Sequence, residues 1–228
     1  MADVKTHHAP DLTHHVSQGL AWLSASAEGE NTAALSYAAF ELRLAIERLV
    51  VYYWASLLNR KPEEQDLRDI ESFKRIERRT YELGGHQKEI NGHFQFMRLV
   101  LQSLKIDEIL HTPNIGQLSN YWHECSKLCH IGWPLGCSVP EVRTQAFRKL
   151  TQISDSLSQH VKSLGWPALR DAAFTDLRNR FIAGDATAAD VRSHFEKIGL
   201  WARVEFPDGR PAQFVGDPLP PRNTEGAE

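Results

Sequence analysis

The sequence predicts a mainly α protein: an up-and-down helical bundle with a small C-terminal helix–helix–β-hairpin appendage. Three observations carry this. Most of the chain is a series of apolar-periodic stretches, each closed by glycine or proline. One of them, TAALSYAAFELRLAIERLVVYYWASLLNR, contains no Gly or Pro and is apolar on nearly every side, the pattern of a helix in the middle of a bundle. Only near the end does the pattern alternate, in LWARVEFPDGRPAQFV around Pro207-Asp208-Gly209, as a hairpin does.

Residues 1–11 are expected to form a flexible arm. A helix follows over about Leu12 to Ala27 and breaks at Gly29 to Asn31, and the central helix runs from Thr32 to about Arg60. Pro62 and the acidic residues after it restart a helix that continues through ESFKRIERRTYEL to Gly84-Gly85. HFQFMRLVLQSL reads as helical, with a local pattern that a strand could share. After Thr112-Pro113-Asn114 comes a helix ending near His130, stopped by Gly132, Trp133 and Pro134. Ser138-Val139-Pro140-Glu141 is a start signal with Ser as N-cap and Glu three residues on, and its helix ends before Gly165. The bundle therefore spans residues 12–165 and the α+β appendage 166–216. A Pro-rich, disordered tail is expected over 217–228.

With 42% hydrophobic residues and 24% charged ones among 228, the chain can bury a real core. A net charge of −3 gives no global attraction to nucleic acid or to acidic membranes, so any such binding needs a local patch. The region Leu42 to Leu58 carries Arg43, Glu47 and Arg48, which marks a packed helix and no membrane span. MADVKTHHAPDLTHH lacks the apolar core of a signal peptide, and with three cysteines in the chain a reducing cytoplasm is the expected compartment.

All three cysteines fall in YWHECSKLCHIGWPLGC, with two histidines. The spacing matches no common zinc module. At about 100° per residue, His123 and His130 share one side of a helix while Cys125 and Cys129 share nearly the opposite one. No metal and no cofactor are expected, and Cys125 and Cys129 read as small core hydrophobes. Asn120, His123, Glu124, Lys127 and His130 form a polar stripe. On the central helix Arg43 and Glu47 stand four apart, and Glu41 and Arg48 form a second stripe with Tyr37 and Tyr52. Charges on so apolar a helix require partners. If the Arg43 stripe faces the Asn120–His130 stripe across a cleft, the Arg, Glu, Lys and His groups suit phosphate handling or RNA cleavage. Phosphate-loop, dinucleotide-fold, zincin and serine-hydrolase signatures are absent from the sequence. A Cys129-His130 dyad fails because adjacent helical residues point about 100° apart.

FELRLAIERLVVYYW and the later LSNYWHECSKLCH resemble the HEPN superfamily of helical-bundle proteins, over about residues 30 to 165. The resemblance matches Arg43 and Glu47 to an Arg-x-x-x-Glu pair on an early helix and His130 to a histidine ending a later one. It implies a homodimer in a prokaryotic stress, phage-defence or toxin–antitoxin context. Active HEPN ribonucleases carry an Arg-x4-6-His motif that acts on the scissile phosphate, usually across a dimer interface. Here Glu124 stands six residues before His130, and Lys127 is the cation of that helix. Members with such departures act as noncatalytic binding or assembly domains. The reading is thus a noncatalytic or weakly catalytic module that binds a partner protein or nucleic acid, RNA among them, with Arg48, His123, Glu124 and Asn120 as binding residues. The alternative is a metal-independent ribonuclease using His130 with Lys127, Arg43 or Arg48, supported by Glu47. A formal motif match, Arg79 to His86, straddles Gly84-Gly85. A second alternative is DNA binding by the C-terminal segment, whose helix–turn–helix–hairpin order is that of a winged helix. Against it, the segment has no basic stripe, and a trihelical core needs one more helix borrowed from the bundle.

Overall fold

The computed structural model describes residues 11–58, 60–130, 133, 138–169, 171–198, 201–204, 211 and 213–216. The expected arm and tail, Cys137, Gly132, Pro134 and the hairpin turn at Pro207-Asp208-Gly209 fall wholly or mainly outside these residues. The protein is mainly α-helical with one small antiparallel hairpin. The helices are α1 (Leu12–Ala25), α2 (Thr32–Leu58), α3 (Glu64–Asp69), α4 (Phe73–Gly84), α5 (Gln87–Ser103), α6 (Ile115–Cys129), α7 (Pro140–Val161), α8 (Ala172–Ala183) and α9 (Ala188–Ile198). Strands β1 (Trp201–Val204) and β2 (Gln213–Gly216) pair antiparallel, with Trp201 opposite Gly216 and Val204 opposite Gln213. No helix among the described residues is long and apolar enough to cross a membrane.

The chain divides into two compact units that interleave in sequence. The first comprises Met1–Thr80 and Asn114–Val161, and the second Tyr81–Pro113 and Lys162–Glu228. Within the second unit α5 packs with α8 and α9.

In the first unit α2 packs against α1, α6 and α7. Leu35, Leu42, Ile46, Leu49 and Val50 of α2 are sealed from solvent against Val16 and Leu23 of α1 and Leu150, Ile153 and Leu157 of α7. The helices α1 and α2 approach closely because Gly19 has no side chain; a Cβ there would lie 2.7 Å from Leu42 Cδ2. Polar contacts tie down buried His15, His160 and Ser26. His15 Nδ1 donates to Glu41 Oε2 at 2.7 Å, the Tyr53 hydroxyl lies 2.8 Å from His160 Nδ1, and Ser26 Oγ donates to the Leu23 carbonyl. The central helix is not covered all round, however. Tyr37, Phe40 and Tyr52 are about half exposed.

The segment read as one helix from Pro62 to Gly84 is two. The short α3 has a reciprocal capping box between Glu63 and Asp66 and stops at Ile70, and α4 restarts when the Ser72 carbonyl accepts from Arg75 and Ile76. The second unit centres on Phe96 of α5, whose ring meets Phe181 of α8 and Phe195 of α9. Gly92 lets α5 approach Ile182, and Gly184 ends α8 at φ +91°, a left-handed turn that leads into α9.

Candidate functional site

The site lies within the first unit and is built by α2, α6 and α7. The helix α6 starts where the Asn114 side chain accepts from the Gln117 backbone N–H, and it buries Leu118, Tyr121 and Cys125. That leaves Asn120, His123, Glu124 and Lys127 on its other side. Together with His130, Arg43 of α2 and Lys149 and Gln152 of α7, they line a cavity of about 790 Å³. An adjoining cavity of about 430 Å³ shares Glu124, Lys127, Lys149 and Gln152 and adds Arg148.

Arg43 is held from two directions. Its Nε donates to Glu47 Oε1 at 3.1 Å, and its guanidinium carbon lies 4.7 Å from the centre of the Trp122 ring. Trp122 Nε1 in turn donates to the same Glu47 oxygen at 2.7 Å, and the far face of the indole stacks on Phe73 at 4.9 Å with the rings 8° from parallel. The carboxylate of Glu47 thus fixes both the arginine and the tryptophan. Glu47 takes up the Nε of Arg43, and the terminal amino groups have no hydrogen-bond partner among the described residues, which leaves them as donors for the cavity.

Of the residues singled out in the sequence, Arg43, Asn120, His123, Glu124, Lys127 and His130 come together at the larger cavity. Glu47 sits behind Arg43 and does not line it. Arg48 is exposed and does not line it either; it points about 140° away from Arg43 around α2. Lys127 donates to Glu124 Oε1 at 2.7 Å, so the cation proposed to work with His130 is paired with a carboxylate on its own helix. His130 is exposed and is the C-cap of α6, one residue beyond the last turn, with extended backbone at φ −80° and ψ 152°.

Lys149, Arg148 and Gln152 were not anticipated. They come from a helix remote in sequence, and no spacing relates them to α6. Lys149 Nζ donates to Gln152 Oε1 at 3.2 Å and lies 5.9 Å from the centre of the Tyr121 ring. Arg148 is exposed beside it.

The cysteines divide differently from the reading above. Cys125 is in the core, where burial pushes its thiol up to about 12, so it carries no thiolate at neutral pH. Cys129, the last residue of α6, is exposed and is no core residue. No group of three or more His, Cys, Asp or Glu side chains among the described residues could hold a metal ion. Arg79 lies in α4, and His86 is the N-cap of α5 beyond the left-handed Gly85, so the formal Arg-to-His match is not carried on one helix.

The arrangement is a water-accessible cavity whose wall carries Arg43, Lys127 and Lys149, the Glu124 carboxylate and the imidazoles of His123 and His130. No protein-family model, curated protein or solved structure matches the chain.

Proposed function

We propose that the first unit is a HEPN-like helical module, noncatalytic or weakly catalytic, that binds RNA at the paired cavities and acts as a homodimer in a prokaryotic stress or phage-defence setting. The observation that supports this most is the cluster of Arg43, Lys127, Arg148 and Lys149 around two adjoining cavities, with Glu124 as the one carboxylate of their walls among the described residues. Cations spread along a groove suit successive phosphates of a single strand better than one small ligand. The test is fluorescence anisotropy of a labelled single-stranded RNA over a salt series. Lys149→Ala and Arg148→Ala should each weaken binding and lower the salt slope by about one unit. A double variant that binds RNA as tightly as the wild type would remove the reading.

Two other readings each have one supporting observation. His130 and Arg43 line the same cavity, as a ribonuclease would need. RNA cleavage abolished by His130→Ala would favour that enzyme over the binding module. In the second unit, α5 packs with α8 and α9 ahead of the hairpin, which supplies the third helix of a winged helix-turn-helix order. DNA binding there should be lost in Arg192→Glu, which alters an exposed residue of α9.

A further inference from the structure

The face of α2 directed away from the core is apolar and, among the described residues, partly exposed. Tyr37 is 55%, Phe40 48% and Tyr52 46% exposed, and Leu44 and Val51 are half-buried between them. Trp22 of α1, 37% exposed, extends the patch by packing 4.9 Å from Tyr37. Tyr37, Glu41, Leu44, Arg48, Val51 and Ala55 follow one another at alternating spacings of four and three. That keeps them on one line along a helix, as in a helix–helix seam. An exposed apolar strip of this kind marks an interaction surface.

The charges on the strip indicate its occupant. Glu41 and Arg48 are its two ionic groups, and Arg48 makes no ion pair among the described residues. One oxygen of Glu41 accepts from His15, and the other accepts no hydrogen bond among the described residues. Glu41 and Arg48 are centred on the peptide between Leu44 and Ala45, and so are Tyr37 and Tyr52. A two-fold axis through that point lays two copies of the helix antiparallel. It sets Glu41 against Arg48 of the second copy and Tyr37 against its Tyr52, each pairing occurring twice. Such self-complementarity is the requirement of an isologous interface, and no unrelated partner is needed to explain it.

We infer that this face of α2 is the homodimer interface, with antiparallel α2 helices crossing at Leu44 and reciprocal Glu41–Arg48 ion pairs. The inference rests on the homodimer of the preceding section and not on its RNA. Since Arg43 and Arg48 lie about 140° apart around the helix, this dimer leaves the cavity open and belonging to one protomer.

Sedimentation of the full chain tests it. The wild type should be dimeric at about 10 µM, and Arg48→Glu, which opposes two carboxylates twice, should weaken the dimer at least about tenfold. Glu41→Arg should do the same alone, yet an equimolar mixture of the two variants should recover a heterodimer, because both pairings are then restored. Independently of Glu41, oxidised Leu44→Cys in a Cys129→Ser background should give a 44–44 disulfide in peptide mapping. A wild type monomeric at about 100 µM, as when a different protein covers the face, would overturn the inference. So would a dimer indifferent to Arg48→Glu, or oxidised Leu44→Cys lacking the 44–44 link. RNA binding by the Arg48→Glu monomer keeps the two proposals apart, since the cavity is intact in it.

Discussion

Trp122→Phe is the sharpest probe of how α6 is fastened to α2. The substitution keeps a ring over Phe73 but deletes the Nε1 donor to Glu47, a charge-assisted bond of 2.7 Å. Hydrogen bonds to charged groups contribute about 1.5–3 kcal/mol, and the lower end applies here because the Glu47 side chain is 31% exposed. A weaker cation–π contact with Arg43 removes about 0.5 kcal/mol more. The total is about 2 kcal/mol, or a fall in melting temperature of roughly 4–8 °C. Urea unfolding of Trp122→Phe, Glu47→Gln and the double variant measures it. The two substitutions share one bond, so their costs should fall short of additive by about 1 kcal/mol. A single-variant cost below about 0.5 kcal/mol, or additivity within about 0.3 kcal/mol, would refute the claim that Glu47 fastens the two helices.

Two further predictions concern the scaffold. Gly19→Ala would ordinarily gain about 1 kcal/mol of helix propensity, but the new Cβ meets Leu42 Cδ2 at 2.7 Å and Cγ at 2.9 Å in a sealed core. A net loss of about 1–2 kcal/mol is expected in urea unfolding, against no loss for Gln18→Ala next to it. In the second unit, His93 Nε2 donates to the Pro167 carbonyl at 2.9 Å, its Nδ1 is buried without a partner, and burial lowers its pKa from 6.5 to about 4. The folded group resists a proton that the unfolded one accepts. Stability is therefore full above about pH 6.5 and falls by up to about 3 kcal/mol as the pH drops to about 4. Hydrogen exchange of α5 amides across that range should show the loss, and His93→Gln should flatten it.

Much of the site's frame could be read from the chain. Four-residue spacing on an apolar helix pointed to the Arg43–Glu47 pair, and the polar stripe of α6 pointed to the cavity wall. What escaped depended on packing between segments far apart. The indole of Trp122 lies half-buried and bridges Glu47, Arg43 and Phe73, contacts that no spacing within α6 indicates. The apolar circumference of α2 suggested burial all round, because periodicity does not reveal how many neighbours a helix has. Likewise α5 carries an ordinary amphipathic pattern, and nothing in that pattern says it packs with α8 and α9.

The electrostatics of the cavity show why the omission of α7 matters. Arg43 is opposed by Glu47 and Lys127 by Glu124, so the residues legible in the sequence form two ion pairs with little net charge between them. Arg148 makes no ion pair among the described residues, and Lys149 binds only the neutral Gln152 and the face of Tyr121. The positive potential of the site therefore originates on α7, and α2 and α6 supply oriented donors and imidazoles around it. Under the proposed RNA binding, a phosphate drawn in by Arg148 and Lys149 would meet Arg43 already oriented by Glu47, so little ordering of that side chain would remain at binding. Removing the α7 cations should thus weaken RNA binding more than Lys127→Ala does, and parity between them in the salt series would place the charge on α6 instead.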